Sequence, residues 1–111
     1  MNIETIREYI LQKADVTEGF PFGEDVLVFK VAGKMFFLTG LDKSPLQFNV
    51  KCDPDIAIQL REEYPDSVLP GYHMNKLNWN TIVVDGRLSA RQLKQMIDDS
   101  YNLVAVKKRT K

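Results

Sequence analysis

The chain has 111 residues, 44% apolar and 27% charged, which suits one domain with one core and no covalent staples. Fifteen Lys/Arg balance fifteen Asp/Glu, and a formal charge of zero counts against a generic nucleic-acid binder, whose affinity comes mainly from neutralised phosphates. A single cysteine, Cys52, excludes an intrachain disulfide and a cysteine-rich zinc site, and it fits a reducing cytoplasm.

The charge is uneven. Residues 1–55 carry six Lys/Arg and nine Asp/Glu, whereas residues 56–111 carry nine and six. A basic face is therefore sought in the C-terminal half. The first residues include Glu4 and Glu8 and no apolar run, so no signal peptide is expected. No stretch approaches the roughly 20 apolar residues of a membrane span.

The chain opens on a helix. Asn2 suits an N-cap, and Ile3, Ile6, Ile10 and Ala14 recur at helical spacing. Residues 16–25 read as a loop, with Phe20-Pro21-Phe22-Gly23 as a turn whose two aromatics are expected to plug one end of the core. A hairpin follows: 26–31 and 35–39 alternate with β-branched and aromatic residues, and Ala32-Gly33-Lys34 makes the turn. Residues 46–51 form the third strand. Asp53-Pro54-Asp55 starts a second helix with a cap, a proline at its first position and a dipole-matched acid. Ile56, Leu60 and Tyr64 mark its expected inner face, with Ala57 at the edge.

Val68-Leu69 reads as a short strand, Pro70-Gly71 as a turn and 81–84 as a strand. Ser89 and Gln92 fit a capping box ahead of a last helix, with Leu93, Met96, Ile97, Tyr101 and Val104 on one stripe. Lys107 to Lys111 form a basic tail. The order α-β(3)-α-β(2)-α predicts an α+β domain over residues 1–106, a two-layer antiparallel sheet with helices on one face.

Catalytic chemistry has little to draw on. His73 is the only histidine, and it pairs with Cys52 only if the fold joins them. Cys52 stands before a helix N-terminus, which lowers a thiol pKa, but a small buried residue at a strand end is the simpler reading. Asp53 and Asp55 are explained by capping. Neither a metal site nor a cofactor is expected, and an enzyme is the least expected class.

Residues 70–80 are the best candidate site. Tyr72, His73, Asn75, Lys76, Asn78, Trp79 and Asn80 concentrate hydrogen-bonding and stacking groups. A structural reading competes: Trp79 buried with its N–H paired, and the asparagines serving as turn residues. Core is favoured for Trp79, and both readings stay open for Lys76 and His73.

Five segments resemble the MmcQ/YjbR family of small bacterial proteins. They are Phe20-Pro21-Phe22-Gly23; Val28-Phe29-Lys30-Val31 with Gly33-Lys34-Met35-Phe36; Lys51-Cys52-Asp53-Pro54; Pro70 to Lys76 with Trp79-Asn80-Thr81; and Ser100 to Val104. One departure is Asn78, where the family pattern has His beside the Trp. The resemblance implies a compact CyaY-like or secretion-chaperone-like fold. It also implies a DNA-binding label, through a double wing of projecting β-structure. By that analogy Lys30, Gly33 and Lys34 lie at one wing and residues 70–80 form the other.

The leading expectation is therefore a monomeric, cytoplasmic DNA-binding protein. Lys30, Lys34, Lys76, Arg87, Lys107, Lys108 and Arg109 are expected to meet phosphates, and Tyr72, His73, Asn75 and Asn78 to make closer contacts. One alternative is a protein-interaction or chaperone-like module that offers a sheet face. Another is a small-molecule binder with a pocket lined by Phe22, Phe37 and Trp79.

Overall fold

The structure, a computed structural model, describes residues 1–71 and 74–109, with side chains through Ala105. The elements in chain order are α1 (Ile3–Leu11), β1 (Val16–Gly19), β2 (Val26–Val31), β3 (Lys34–Gly40), β4 (Leu46–Lys51), α2 (Pro54–Glu63), β5 (Val68–Pro70), β6 (Trp79–Val84) and α3 (Ala90–Arg109). The strands form one six-stranded sheet in the order β1-β2-β3-β4-β6-β5, and every neighbouring pair is antiparallel. The α+β, two-layer expectation holds, with one strand more than expected.

That strand is β1, within the stretch expected to be loop. Val16 to Gly19 pair with Val31 to Val28 along the free edge of β2. Four residues are too few to display an alternation, and the segment gains its identity from a partner rather than from its own pattern.

Cross-strand pairs define the two faces, since paired residues point the same way. Leu27, Phe29 and Val31 of β2, Phe37 of β3, Phe48 and Val50 of β4, Ile82 of β6 and Val68 of β5 face the helices. They meet Ile6 and Ile10 of α1 and Leu93, Met96, Ile97 and Val104 of α3. Phe37 anchors this layer, edge-on to Phe29 at 5.5 Å and stacked on Phe48 at 5.0 Å. The register shifts between Phe29 and Lys30, so Phe36 is an extra residue in β3. Phe36 therefore also reaches the core and packs on Tyr101.

The caps follow the sequence. Asn2 Oδ1 accepts from Thr5 N at 2.9 Å, and Asp53 Oδ1 from Asp55 N at 3.0 Å. Ser89 and Gln92 exchange the two bonds of a capping box, at 2.8 and 3.2 Å. The inner face of α2 is rotated from expectation. Ile56 is exposed, and Ala57 is fully buried with Leu60, Arg61 and Tyr64 half-buried, a 57-60-61-64 stripe. α1 ends at Leu11, leaving Ala14 exposed outside the helix.

The β2–β3 turn has two residues with positive φ, Ala32 at 50° and Gly33 at 83°, the pattern of a type I′ hairpin. Gly33 suits it at no cost. Ala32 occupies a left-handed conformation that L residues adopt at about 1 kcal/mol or more.

Candidate functional site

Antiparallel pairing fixes which loops share an end of the sheet. β1 starts, β2 ends, β3 starts, β4 ends, β6 starts and β5 ends at one end. The β2–β3 turn and the connection from Pro70 to Trp79 therefore emerge together. Three strand spacings separate them, roughly 14 Å. Lys34 and Lys76 are exposed at this end, Lys30 and Lys51 are half-buried, and Cys52 follows β4 there.

The sheet face turned away from the helices is formed by Thr17 and Gly19 of β1, then Val26, Val28 and Lys30 of β2, then Met35, Leu38 and Gly40 of β3. Gln47, Asn49 and Lys51 of β4, Trp79, Thr81 and Val83 of β6, and Leu69 of β5 complete it. None of these strand residues is acidic. The single acid within a strand, Glu18, pairs with Phe29, turns to the helix side and binds Arg7. Across the open face, Thr81 donates its hydroxyl to Asn49 Oδ1 at 2.5 Å.

The segment singled out by sequence is held firmly from beneath. Arg61 of α2 donates from Nε to Asn80 Oδ1 at 2.7 Å, and from Nη2 to the carbonyls of Lys76 and Trp79. Asn80 is buried, faces the helices and donates to Ala57 O at 3.4 Å. Gly71 N donates to Trp79 O at 2.9 Å, and Cys52 N to Asn78 O at 2.6 Å. Gly71 is required by space: a Cβ there would lie 2.8 Å from Trp79 Cβ and 2.9 Å from Trp79 O. Its value as a turn signal was legible in sequence; this close approach was not.

Several expectations are corrected here. Trp79 is buried as expected, at 7% exposure, but beside Gly71 on the face away from the helices rather than in the helix–sheet core. Asn75 is a turn residue: its Oδ1 accepts from Leu77 N at 2.9 Å, and its carbonyl accepts from Asn78 N and Trp79 N. Asn78 is half-buried. Arg87 lies in the β6–α3 connection at the opposite end, 3.5 Å from both Asp66 and Asp85, so it cannot share a surface with Lys34 and Lys76. Phe20 and Phe22 do not plug the core; they are 51% and 63% exposed. Phe37 and Trp79 are buried while Phe22 projects, so no pocket is lined by the three together. Tyr72 and His73 lie outside the described residues, as do the side chains of Lys107, Lys108 and Arg109.

The last helix nonetheless brings positions 107–109 to the lysine end. α3 starts beyond the far end of β6, and by Ser100 it has crossed the sheet. The fully buried Ser100 hydroxyl donates to Phe36 O at 2.6 Å and accepts from Lys51 N at 2.9 Å. Tyr101 donates to Ala14 O, just before β1. At 1.5 Å per residue, position 107 stands about 9 Å past Tyr101.

Cys52 is not an activated thiol. Burial pushes it up to about 11, with Asp99 and Asp53 adding to the shift and Arg61 opposing it. Burial outweighs the preceding-helix effect expected from sequence. Among the described residues no His/Cys/Asp/Glu group could hold a metal ion, and no helix is long and apolar enough to cross a membrane.

The chain is similar to known proteins along most of its length. YbdF of Escherichia coli O157:H7, an uncharacterised protein, is 37% identical over 101 residues, covering 91% of this chain and 82% of its own. YjbR of Escherichia coli K12, also uncharacterised, is 27% identical, covering 98% and 95%. The crystal structure of Deinococcus radiodurans DR2400, a DUF419 protein, superposes with a TM-score of 0.94 at 36% identity, covering 99% of this chain and 83% of that one. A Pseudomonas syringae protein superposes at 0.75 with 26% identity, covering 94% and 99%. The YjbR family model matches residues 11–103, and the chain belongs to the YjbR family.

Proposed function

We infer that the protein is a non-catalytic DNA-binding protein, and that the DNA lies against the lysine end of the open sheet face. The observation that carries this reading is the absence of acid from the strand residues of that face, together with Lys30 and Lys51 at the end where both β-connections emerge. A phosphate backbone placed there meets Lys30 and Lys51 on the face and no strand carboxylate, with Lys34, which pairs with helix-facing Val31, and Lys76 reached only at the end of the sheet. The two connections leave the sheet about 14 Å apart, a spacing that can bracket a backbone strand. The family resemblance points the same way, toward a double wing. Arg87 and Asn75 drop out of the contact set. Most acids lie elsewhere, on the helices and at the opposite loops, but Asp15, beside the β2–β3 turn, and Asp53, after Cys52, stand at the lysine end.

The test is the salt dependence of binding to mixed-sequence duplex DNA, read by fluorescence anisotropy. Each phosphate contact contributes a slope of about 0.9 in log K against log salt. Lys30→Gln, Lys34→Gln and Lys76→Gln should each lower the slope by about that amount, whereas Arg87→Gln should leave it unchanged. Salt-independent binding, or no binding, sinks this reading.

A further inference from the structure

The end of the sheet opposite the lysines has a different character. Phe20, Phe22 and Leu41 are 51%, 63% and 42% exposed there. They come from the β1–β2 and β3–β4 connections, which are tied together by Leu41 N donating to Asp25 O at 2.7 Å. The β1–β2 connection is itself closed by Gly23 N to Phe20 O and Val26 N to Gly23 O, with Gly23 at φ 119°. The two aromatic rings are therefore carried outward by a built turn. Exposed apolar side chains that cluster, rather than scatter, mark interaction surfaces.

Beside them runs a groove of about 460 Å³ between α1 and the β1–β2 connection, walled by Ile3, Phe20, Leu27 and Leu41. Its charged margin is one-sided. Arg7 is engaged by Glu18 through two bonds, at 2.8 and 2.5 Å, so that pair is neutral. Glu4 lines the groove, and Glu24, Asp25 and Asp42 are exposed beside its aromatic wall, against Lys43 as the nearby cation. Phe22 projects past the groove instead of lining it, so the apolar area extends beyond what a small molecule covers.

We propose that this groove docks a basic amphipathic segment of a partner protein, with a bulky apolar side chain seated against Phe20 and Leu41 and Lys or Arg residues facing Glu4, Glu24, Asp25 and Asp42. Charge complementarity selects this occupant: an acidic or nucleic-acid partner would meet Glu4, Glu24, Asp25 and Asp42, against Lys43 and the Glu18-paired Arg7. Phe22 and Leu41 lie at the far end from Lys34 and Lys76, while Phe20 also borders a cavity shared with Lys30 on the open face, so Phe22 and Leu41 are the positions that separate this proposal from the DNA reading.

The probe is a fluorescein-labelled synthetic peptide that alternates Leu and Phe anchors with Lys and Arg, compared with the same peptide carrying Glu in place of each Lys and Arg. The wild-type chain should bind the basic peptide at least tenfold more tightly, with amide shifts at Phe20, Phe22 and Leu41. Phe20→Ser with Phe22→Ser should weaken binding tenfold or more at an unchanged melting temperature. Glu24→Lys with Asp25→Lys should weaken it without touching the aromatics. Equal affinity for the two peptides, absence of saturable binding, or shifts confined to the lysine end would overturn the proposal. So would concentration-dependent self-association mapped to Phe20 and Phe22, which would make a second copy of the chain the occupant.

Discussion

Residues 71–78 join β5 to β6 just ahead of Trp79, residues 20–25 join β1 to β2, and both connections combine a glycine with a nearby aromatic. They treat their aromatics in opposite ways. Trp79 is the first residue of β6, pairs with Lys51, and is buried against Gly71 while Arg61 holds the adjacent backbone. Phe20 and Phe22 lie between strands in a turn closed on itself, with no partner strand to carry them inward. The difference lies in register rather than in residue type. An aromatic within the ladder inherits a face from its neighbours, whereas an aromatic in a turn takes whatever direction the turn sets.

The largest expected contrast is in stability. Trp79→Ala should destabilise by about 3–5 kcal/mol in urea unfolding, as other large-to-small changes at buried sites do. A loss under about 1 kcal/mol would contradict its burial and erase the contrast. Arg61→Ala should lose about 2–3 kcal/mol, because the buried Asn80 side chain and the Lys76 carbonyl lose a charged donor. Hydrogen exchange should then quicken between Asn75 and Asn80 and stay unchanged at residues 20–25.

Cys52 stands at the lysine end, its backbone N–H bonded to Asn78 O. Its thiol is raised from 9.0 to about 11, so at neutral pH its thiolate fraction is about 100-fold below that of an ordinary cysteine. Reaction with iodoacetamide should be slow at pH 7 and rise steeply only as pH approaches the shifted value. The neutral thiol is the form favoured by folding, so its small contribution to stability is present below pH 9.0 and is lost as pH rises through about 11. Fast alkylation at pH 7 would contradict the burial described for the lysine end. The smallest effect is expected at the other segment, where Phe20→Ser and Phe22→Ser should each change stability by no more than about 0.5 kcal/mol.

Much of the fold was legible where a pattern was long enough to repeat. The α3 stripe from Leu93 to Val104 and the capping pairs at Asn2, Asp53 and Ser89 were read correctly because each signal is local. β1 was missed because Val16 to Gly19 become a strand only by pairing with β2. The inner face of α2 was misplaced by one residue at its start because Ile56 and Ala57 are adjacent, and only the sheet decides between them. The candidate site was legible as a segment but not as a surface. Sequence could not show that Arg87 sits at the wrong end, that Asn75 is occupied by its own turn, or that Arg61 and Ser100 hold the neighbouring backbone. Each of those depends on which strand end a residue reaches.

In the proposed reading the two ends of the sheet serve different partners. That division is tested most directly by mapping backbone amide shifts of the intact chain as mixed-sequence duplex DNA is added at low salt. Shifts are expected at Lys30, Lys34, Lys51 and Lys76 that fade with added salt, and none at Phe22 or Leu41. Shifts at Phe22 or Leu41, or no shifts at the lysines, would contradict it.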